Sequence, residues 1–267
     1  MQQPLFYRSK LNIHLWWLSA VVIIINILLY LYQISHGVDS ADPKLTDAIK
    51  WGADYAPLTL LLQPERLFTA MFFHFGFIHL ALNMWALYIF GQVVEQIYGR
   101  IYFCIIYIFS GIFGNLLTDV ISIYNSQIAM NTHHFSNELL PHVSAGASGA
   151  VMGLGGALTV LAYLPSHASY PFILSKKSLM IVMLLNLAIG IFTPNINNIA
   201  HLSGFAMGAL LTLIWYITKQ KFNLVMAKIC GLVFALGMCL SLYVYCIYYS
   251  KTVLELWQAL LSANAFT

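Results

Sequence analysis

Residues 178–218 read SLMIVMLLNLAIGIFTPNINNIAHLSGFAMGALLTLIWYIT and contain no Asp, Glu, Lys or Arg. About 20 apolar residues cross a bilayer, so this run is too long for a single membrane helix. Its middle, Thr193-Pro194-Asn195-Ile196-Asn197-Asn198, is a cluster of turn formers and divides the run into two spans. Further uncharged runs cover 13–32, 101–118, 139–175 and 229–250, and another lies between Arg66 and Glu95. Together they predict seven spans, near 13–33, 77–96, 101–121, 146–164, 178–193, 199–218 and 229–249.

Composition points the same way. Of 267 residues, 60% are hydrophobic and 8% charged, against about a quarter charged in soluble domains. A water-soluble surface cannot be assembled from that, and the fold class is an all-α membrane protein. Basic residues accumulate in short cytoplasmic loops. An internal N-terminus places Arg8, Lys10, Arg100, Lys176, Lys177, Lys219, Lys221 and Lys228 inside and Lys44, Lys50, Arg66 and Lys251 outside. The net charge of +3 follows from this asymmetry and gives no reason to invoke nucleic acid. Cys104, Cys230, Cys239 and Cys246 all sit in apolar spans with no C-x-x-C pair, which argues against a disulfide framework or a metal site. The first span lacks an A-x-A-like cleavage site and reads as a retained helix. Two connections are long: 35–75, expected to lie partly in the interface, and 122–143, a polar loop carrying His133, His134 and His142.

Polar residues within spans are costly and therefore informative. His79 and Asn83, four apart near the start of the second span, share one helix face, with His74 just ahead of the helix beside Gly76. Gly146-Ala147-Ser148-Gly149 opens the fourth span, followed by Gly153, Gly155 and Gly156. A lone serine at a helix start is most often an N-cap. Here the flanking glycines keep its hydroxyl accessible, and the free N–H groups of a helix N-terminus supply the components of an oxyanion hole. The sixth span opens with Ala200-His201 and carries Gly204 and Gly208, a small-residue stripe suited to close helix contact. The second, fourth and sixth spans begin on the same side of the membrane, so His79, Asn83, Ser148 and His201 should lie at similar depth. A serine hydroxyl becomes a nucleophile when a base takes its proton, and neutral histidine suits that task. Asp119 is the one acidic residue inside a span with any position to support His201, and nothing around it in the sequence does so; a Ser–His dyad is favoured over a triad.

These clusters resemble the rhomboid family of intramembrane serine proteases. The resemblance rests on His74-x4-His79-x3-Asn83, on Gly146-Ala147-Ser148-Gly149 for G-x-S-G, and on Ala200-His201-x2-Gly204-x3-Gly208 for A-H-x2-G-x3-G. It implies a cytoplasmic tail over 1–12, a six-helix catalytic core over 13–218, and a seventh helix with its tail over 219–267. It further implies Ser148 as nucleophile, His201 as base, and an oxyanion site made by His79, Asn83 and the Ser148 backbone N–H, with His74 organising polar groups nearby. Met152 stands where many members stack an aromatic ring on the histidine, and a thioether can also contact an imidazole. Glu65 precedes Arg66 where the family often has Trp-Arg. The expected substrates are single-pass transmembrane proteins met within the lipid, cut without a cofactor or metal. The expected location is a bacterial inner membrane, with the site near its outer face.

The alternative within the same fold is a non-catalytic protein that binds transmembrane segments for quality control or trafficking; loss of the serine or histidine would mark it, and both are present. A proton-coupled transporter would need paired intramembrane ionisable groups. A zinc protease would need H-E-x-x-H, and Leu80 stands where its glutamate would be.

Overall fold

The computed structural model describes residues 13–164, 176–192 and 197–263. In chain order its elements are α1 (Trp17–Ser35), α2 (Leu45–Lys50), β1 (Asp54–Tyr55), α3 (Ala56–Leu61), α4 (Arg66–Thr69), α5 (Phe77–Tyr98), α6 (Arg100–Thr132), β2 (Val143–Ser144), α7 (Ser148–Tyr163), α8 (Lys176–Phe192), α9 (Asn198–Lys221), α10 (Leu224–Ser250) and α11 (Leu254–Ala263). The seven predicted spans correspond to α1, α5, α6, α7, α8, α9 and α10. Among the described residues, five helices are long and apolar enough to cross a membrane; α7 and the apolar part of α8 are shorter. The protein is a multi-pass helical membrane protein. The predicted tail 1–12 and turn residues 193–196 lie outside the described residues.

Glycine sets how the centre packs. A Cβ added at Gly204 would overlap the carbonyl of Gly149, one at Gly208 the carbonyl of Gly153, and one at Gly156 the carbonyl of Phe205. Backbone therefore meets backbone along α7 and α9, the most intimate helix pair among the described residues. Helix α6 closes the third side, with Ser110 occupying the space above Gly153. Gly208→Val has no room to be accommodated. Overpacking of this kind costs about 1–3 kcal/mol, occasionally more, so the variant should melt at lower temperature in detergent and lose activity in parallel. An unchanged melting temperature would show that the α7–α9 contact is not this close.

Helix α6 runs well past the expected end near residue 121. Polar residues taken for a loop are its last three turns, with Ser122, Ser126 and Ala129 buried. Their partners come from the far end of the chain: Trp257 Nε1 donates to Ser126 Oγ (2.9 Å) and Gln127 Nε2 to Thr252 Oγ1 (2.7 Å). The helix stops where His133 turns into the left-handed region, φ 51°.

The long connection after α1 is folded rather than loose. Arg66, 8% exposed, donates from Nη1 to the carbonyls of Ile49 (2.7 Å) and Ala53 (2.8 Å) and from Nε to Gln63 Oε1 (2.7 Å). Asn115 of α6 donates to the Leu67 carbonyl (3.0 Å), pinning the segment to the bundle. Strand β1 then pairs antiparallel with β2, Asp54 opposite Ser144 and Tyr55 opposite Val143. At the opposite end of the bundle, the buried Glu95 carboxylate of α5 accepts from the amides of Leu18 (3.2 Å) and Ser19 (2.8 Å) and from Ser19 Oγ (2.7 Å), tying α1 to α5 at the amide-rich end of α1.

Candidate active site

The starts of α5, α7 and α9 converge. Helix α7 begins at Ser148, with Ala147 as its N-cap residue and no side-chain cap. The Ser148 hydroxyl is therefore not spent on capping, the role that an isolated serine there would usually fill. The first bond of this helix runs from the Val151 N–H to the Ala147 carbonyl (2.9 Å). The amides of Ser148, Gly149 and Ala150 thus stand ahead of the helical ladder, as orphan donors do at any helix start.

The turn before it is fixed at two points. Gly146, φ +121°, donates its N–H to the Ala70 carbonyl (2.9 Å), and Ala147 N–H donates to His74 Nε2 (3.4 Å). That φ suits glycine, and space demands it too, since a Cβ would lie 2.7 Å from the His79 ring. To accept from Ala147, His74 must be neutral; its complete burial, reinforced by His79 alongside, holds its pKa well below the usual imidazole range.

His79 has a tautomer set by its surroundings. Phe75 N–H donates to its Nδ1 (3.2 Å), which leaves the proton on Nε2. That Nε2 is buried, has no partner, and faces Gly146. Asn83 donates one amide N–H to the His79 carbonyl (2.9 Å), and its Oδ1 is unpartnered; its second N–H remains for another acceptor. The His79 ring therefore stands against the turn that leads into α7, with Asn83 one helical turn behind it on α5.

His201 lies one turn into α9, 2% exposed, and neither ring nitrogen has a hydrogen-bond partner. Gly149 packs against the Ala200 carbonyl, where an added Cβ would sit 3.3 Å away, so the residues following Ser148 and preceding His201 are neighbours. The imidazole is buried with its bonding capacity unused. Unengaged pairs of this kind are common before substrate arrives. Met152 is buried on the same helix, one turn beyond Ser148.

Asp119 makes no hydrogen bond to His201. Both of its oxygens and both His201 nitrogens lack partners. Burial pushes the Asp54 carboxyl up to about 7, opposed by the Thr59 hydroxyl that donates to it (2.6 Å) and by Arg66. Because this value lies above that of the unfolded chain, about 3.9, folding takes up a proton between roughly pH 4 and 7. The resulting stabilisation is complete below about pH 4 and is lost as pH rises through about 7. Asp54→Asn should flatten that part of a melting profile taken against pH in detergent. An unaltered slope would assign the titration to other groups.

Of the residues singled out in the sequence, His74 meets Ala147, His79 packs on Gly146 and bonds Asn83 through its carbonyl, and Gly149 packs on Ala200, all near the starts of α5, α7 and α9, whereas Gly204 and Gly208 lie deeper, against Gly149 and Gly153. The structure places His133, His134 and His142 apart, with no cluster suited to a metal ion among the described residues. It adds Arg66, whose carbonyl partners fix the connection after α1 despite the neighbouring Glu65, and Asn197, which a search for Asn or Asp just before a helical run would have found.

Residues 62–220 match the Rhomboid domain family. The chain is similar to the rhomboid protease AarA of Providencia stuartii, 27% identical over 95% of this chain and 92% of that protein. It is also similar to RHOMBOID-like protein 6, mitochondrial, of Arabidopsis thaliana, 35% identical over 67% of this chain and 53% of that one. The rhomboid protease GluP of Bacillus subtilis (strain 168) is 33% identical over 56% of this chain, a stretch amounting to 26% of GluP.

Proposed function

The chain belongs to the rhomboid family, and from that premise we propose that it is an intramembrane serine endopeptidase in which Ser148 attacks the peptide carbonyl and His201 takes its proton. What supports this reading is that Ser148 opens α7 with no capping role, Gly149 beside it packs on Ala200 beside an unpartnered His201, and the His79 ring packs on the turn ahead of the serine. In the first step the Ser148 Oγ–carbonyl bond forms while its proton passes to His201, and negative charge moves onto the carbonyl oxygen beside His79 Nε2–H, the Asn83 amide and the Ser148 N–H. Collapse expels the amine, which takes the proton from His201, and leaves an acyl-enzyme. Water, deprotonated by His201, then releases the acid and restores Ser148.

His74 acts through the Ala147 amide, holding the turn that presents the nucleophile. Substrates are transmembrane proteins reached within the bilayer, where a segment that unwinds easily, as Pro or Gly allows, exposes a peptide bond. The arrangement of basic loops supports an internal N-terminus and a site toward the outer face of a bacterial inner membrane. The catalytic unit is assigned to 13–218, with 219–267 as an appended helix and tail. A fluorophosphonate probe tests the proposal: purified protein in detergent should be modified at Ser148 alone and should cleave a reconstituted single-pass protein. Absence of both would favour the non-catalytic alternative, in which the same fold only holds transmembrane segments.

A further inference from the structure

We infer that Asn197 is a positioning residue that sets the register between Ser148 and His201; the inference rests on reading those two as the reacting pair. Asn197 N-caps α9: its Oδ1 accepts from the amides of Ile199 (2.9 Å) and Ala200 (3.2 Å), and its own carbonyl accepts from His201 N–H (3.2 Å). An atom taking two N–H bonds must be the oxygen, so the orientation of the amide is fixed by its partners. The Nδ2 of the same side chain then donates away from its helix, to Thr118 Oγ1 of α6 (2.6 Å) and Ser144 Oγ of β2 (3.3 Å). Thr118 passes its proton on to the Gly114 carbonyl (3.0 Å).

Ser144 is four residues before Ser148 and is held on its other side by β1 through Asp54. One amide group therefore joins the segment that delivers the nucleophile, the helix that delivers the base, and the helix packed behind both. The glycine contacts between α7 and α9 fix how closely the helices approach, but small residues alone offer little resistance to sliding along the common axis. A directional bond at the helix starts supplies that resistance. An open cavity of about 420 Å³, lined in part by Thr118, Ser122, Asn125, His142 and Asn197, adjoins this junction. If the Asn197 side chain is removed, water can satisfy Thr118 and Ser144, so the fold survives while the register loosens.

The test compares Asn197→Ala, Asn197→Asp and the double variant Thr118→Val with Ser144→Ala, using the full chain in detergent. Four quantities are measured: kcat per active site titrated by fluorophosphonate, KM, the rate of Ser148 labelling, and the melting temperature. A displacement on the order of 1 Å can cost about 100-fold. Asn197→Ala should therefore lower kcat per titrated site and the labelling rate by about 10–100-fold, with KM nearly unchanged. Asn197→Asp keeps both cap bonds and lets the two hydroxyls donate to a carboxylate, so it should recover most of the loss. The double variant leaves the cap intact and should reproduce the alanine defect, which covers the case in which Asn197→Ala does not fold. Normal kcat per titrated site in the double variant, or losses that only follow the folded fraction, would overturn the inference. An unlabelled wild-type Ser148 would instead remove its premise.

Discussion

Ser148→Ala is expected to abolish cleavage of a transmembrane substrate while leaving the melting temperature close to that of the parent. The substitution deletes one hydroxyl that caps nothing, at a helix start whose turn is held by Ala70 and His74 rather than by the serine. Loss of a serine nucleophile or its histidine base typically costs on the order of 10⁴–10⁶ in kcat. His201→Ala should be nearly as severe and should suppress labelling of Ser148 as well, because a hydroxyl without a base is a poor nucleophile. The two losses should not add, since each removes the same step. Cleavage by Ser148→Ala above a few per cent of the parent would mean that another group attacks, and full labelling in His201→Ala would mean that another group takes the proton.

The parts of this site that were legible in the sequence are those where the membrane penalises the residue. Histidine, asparagine and serine at span starts stand out because hydrocarbon offers them no partner, and glycine at four-residue spacing stands out because a lipid-facing helix gains nothing from it. What was illegible depends on chain-distant partners. The last three turns of α6 read as a loop because Ser122, Asn125, Ser126 and Gln127 are polar. They are helical because Trp257 and Thr252, more than a hundred residues later, take up Ser126 and Gln127. Arg66 next to Glu65 gave no hint that its guanidinium would hold the Ile49 and Ala53 carbonyls. Asn197 lay inside a turn-forming cluster, and that setting concealed its second function: turn formers and helix caps are the same residue types, separated only by what the other half of the amide finds to bond.

Asn83→Ala is expected to slow proteolysis by roughly 10²–10³, or about 3–4 kcal/mol, the usual cost of one oxyanion donor. The geometry narrows what is being removed. One Asn83 N–H is occupied by the His79 carbonyl at 2.9 Å, so catalysis would use the second, and the alanine variant forfeits that bond together with a local i to i−4 contact. His79 is the less clean target, because its ring also accepts the Phe75 amide, stacks against Phe75 at 6.3 Å and packs over Gly146. Replacing it would loosen the turn before Ser148 as well as delete a donor. Charge on the carbonyl oxygen develops only in the transition state, so a true oxyanion donor lowers kcat and leaves KM nearly alone. Ser148 should remain modifiable by a small, highly reactive phosphonate in Asn83→Ala, since Ser148 and His201, the proposed base, are untouched, even as turnover of a peptide bond collapses. A raised KM with normal kcat would place Asn83 in substrate binding, and the oxyanion would then rest on His79 Nε2–H and the backbone amides at the start of α7.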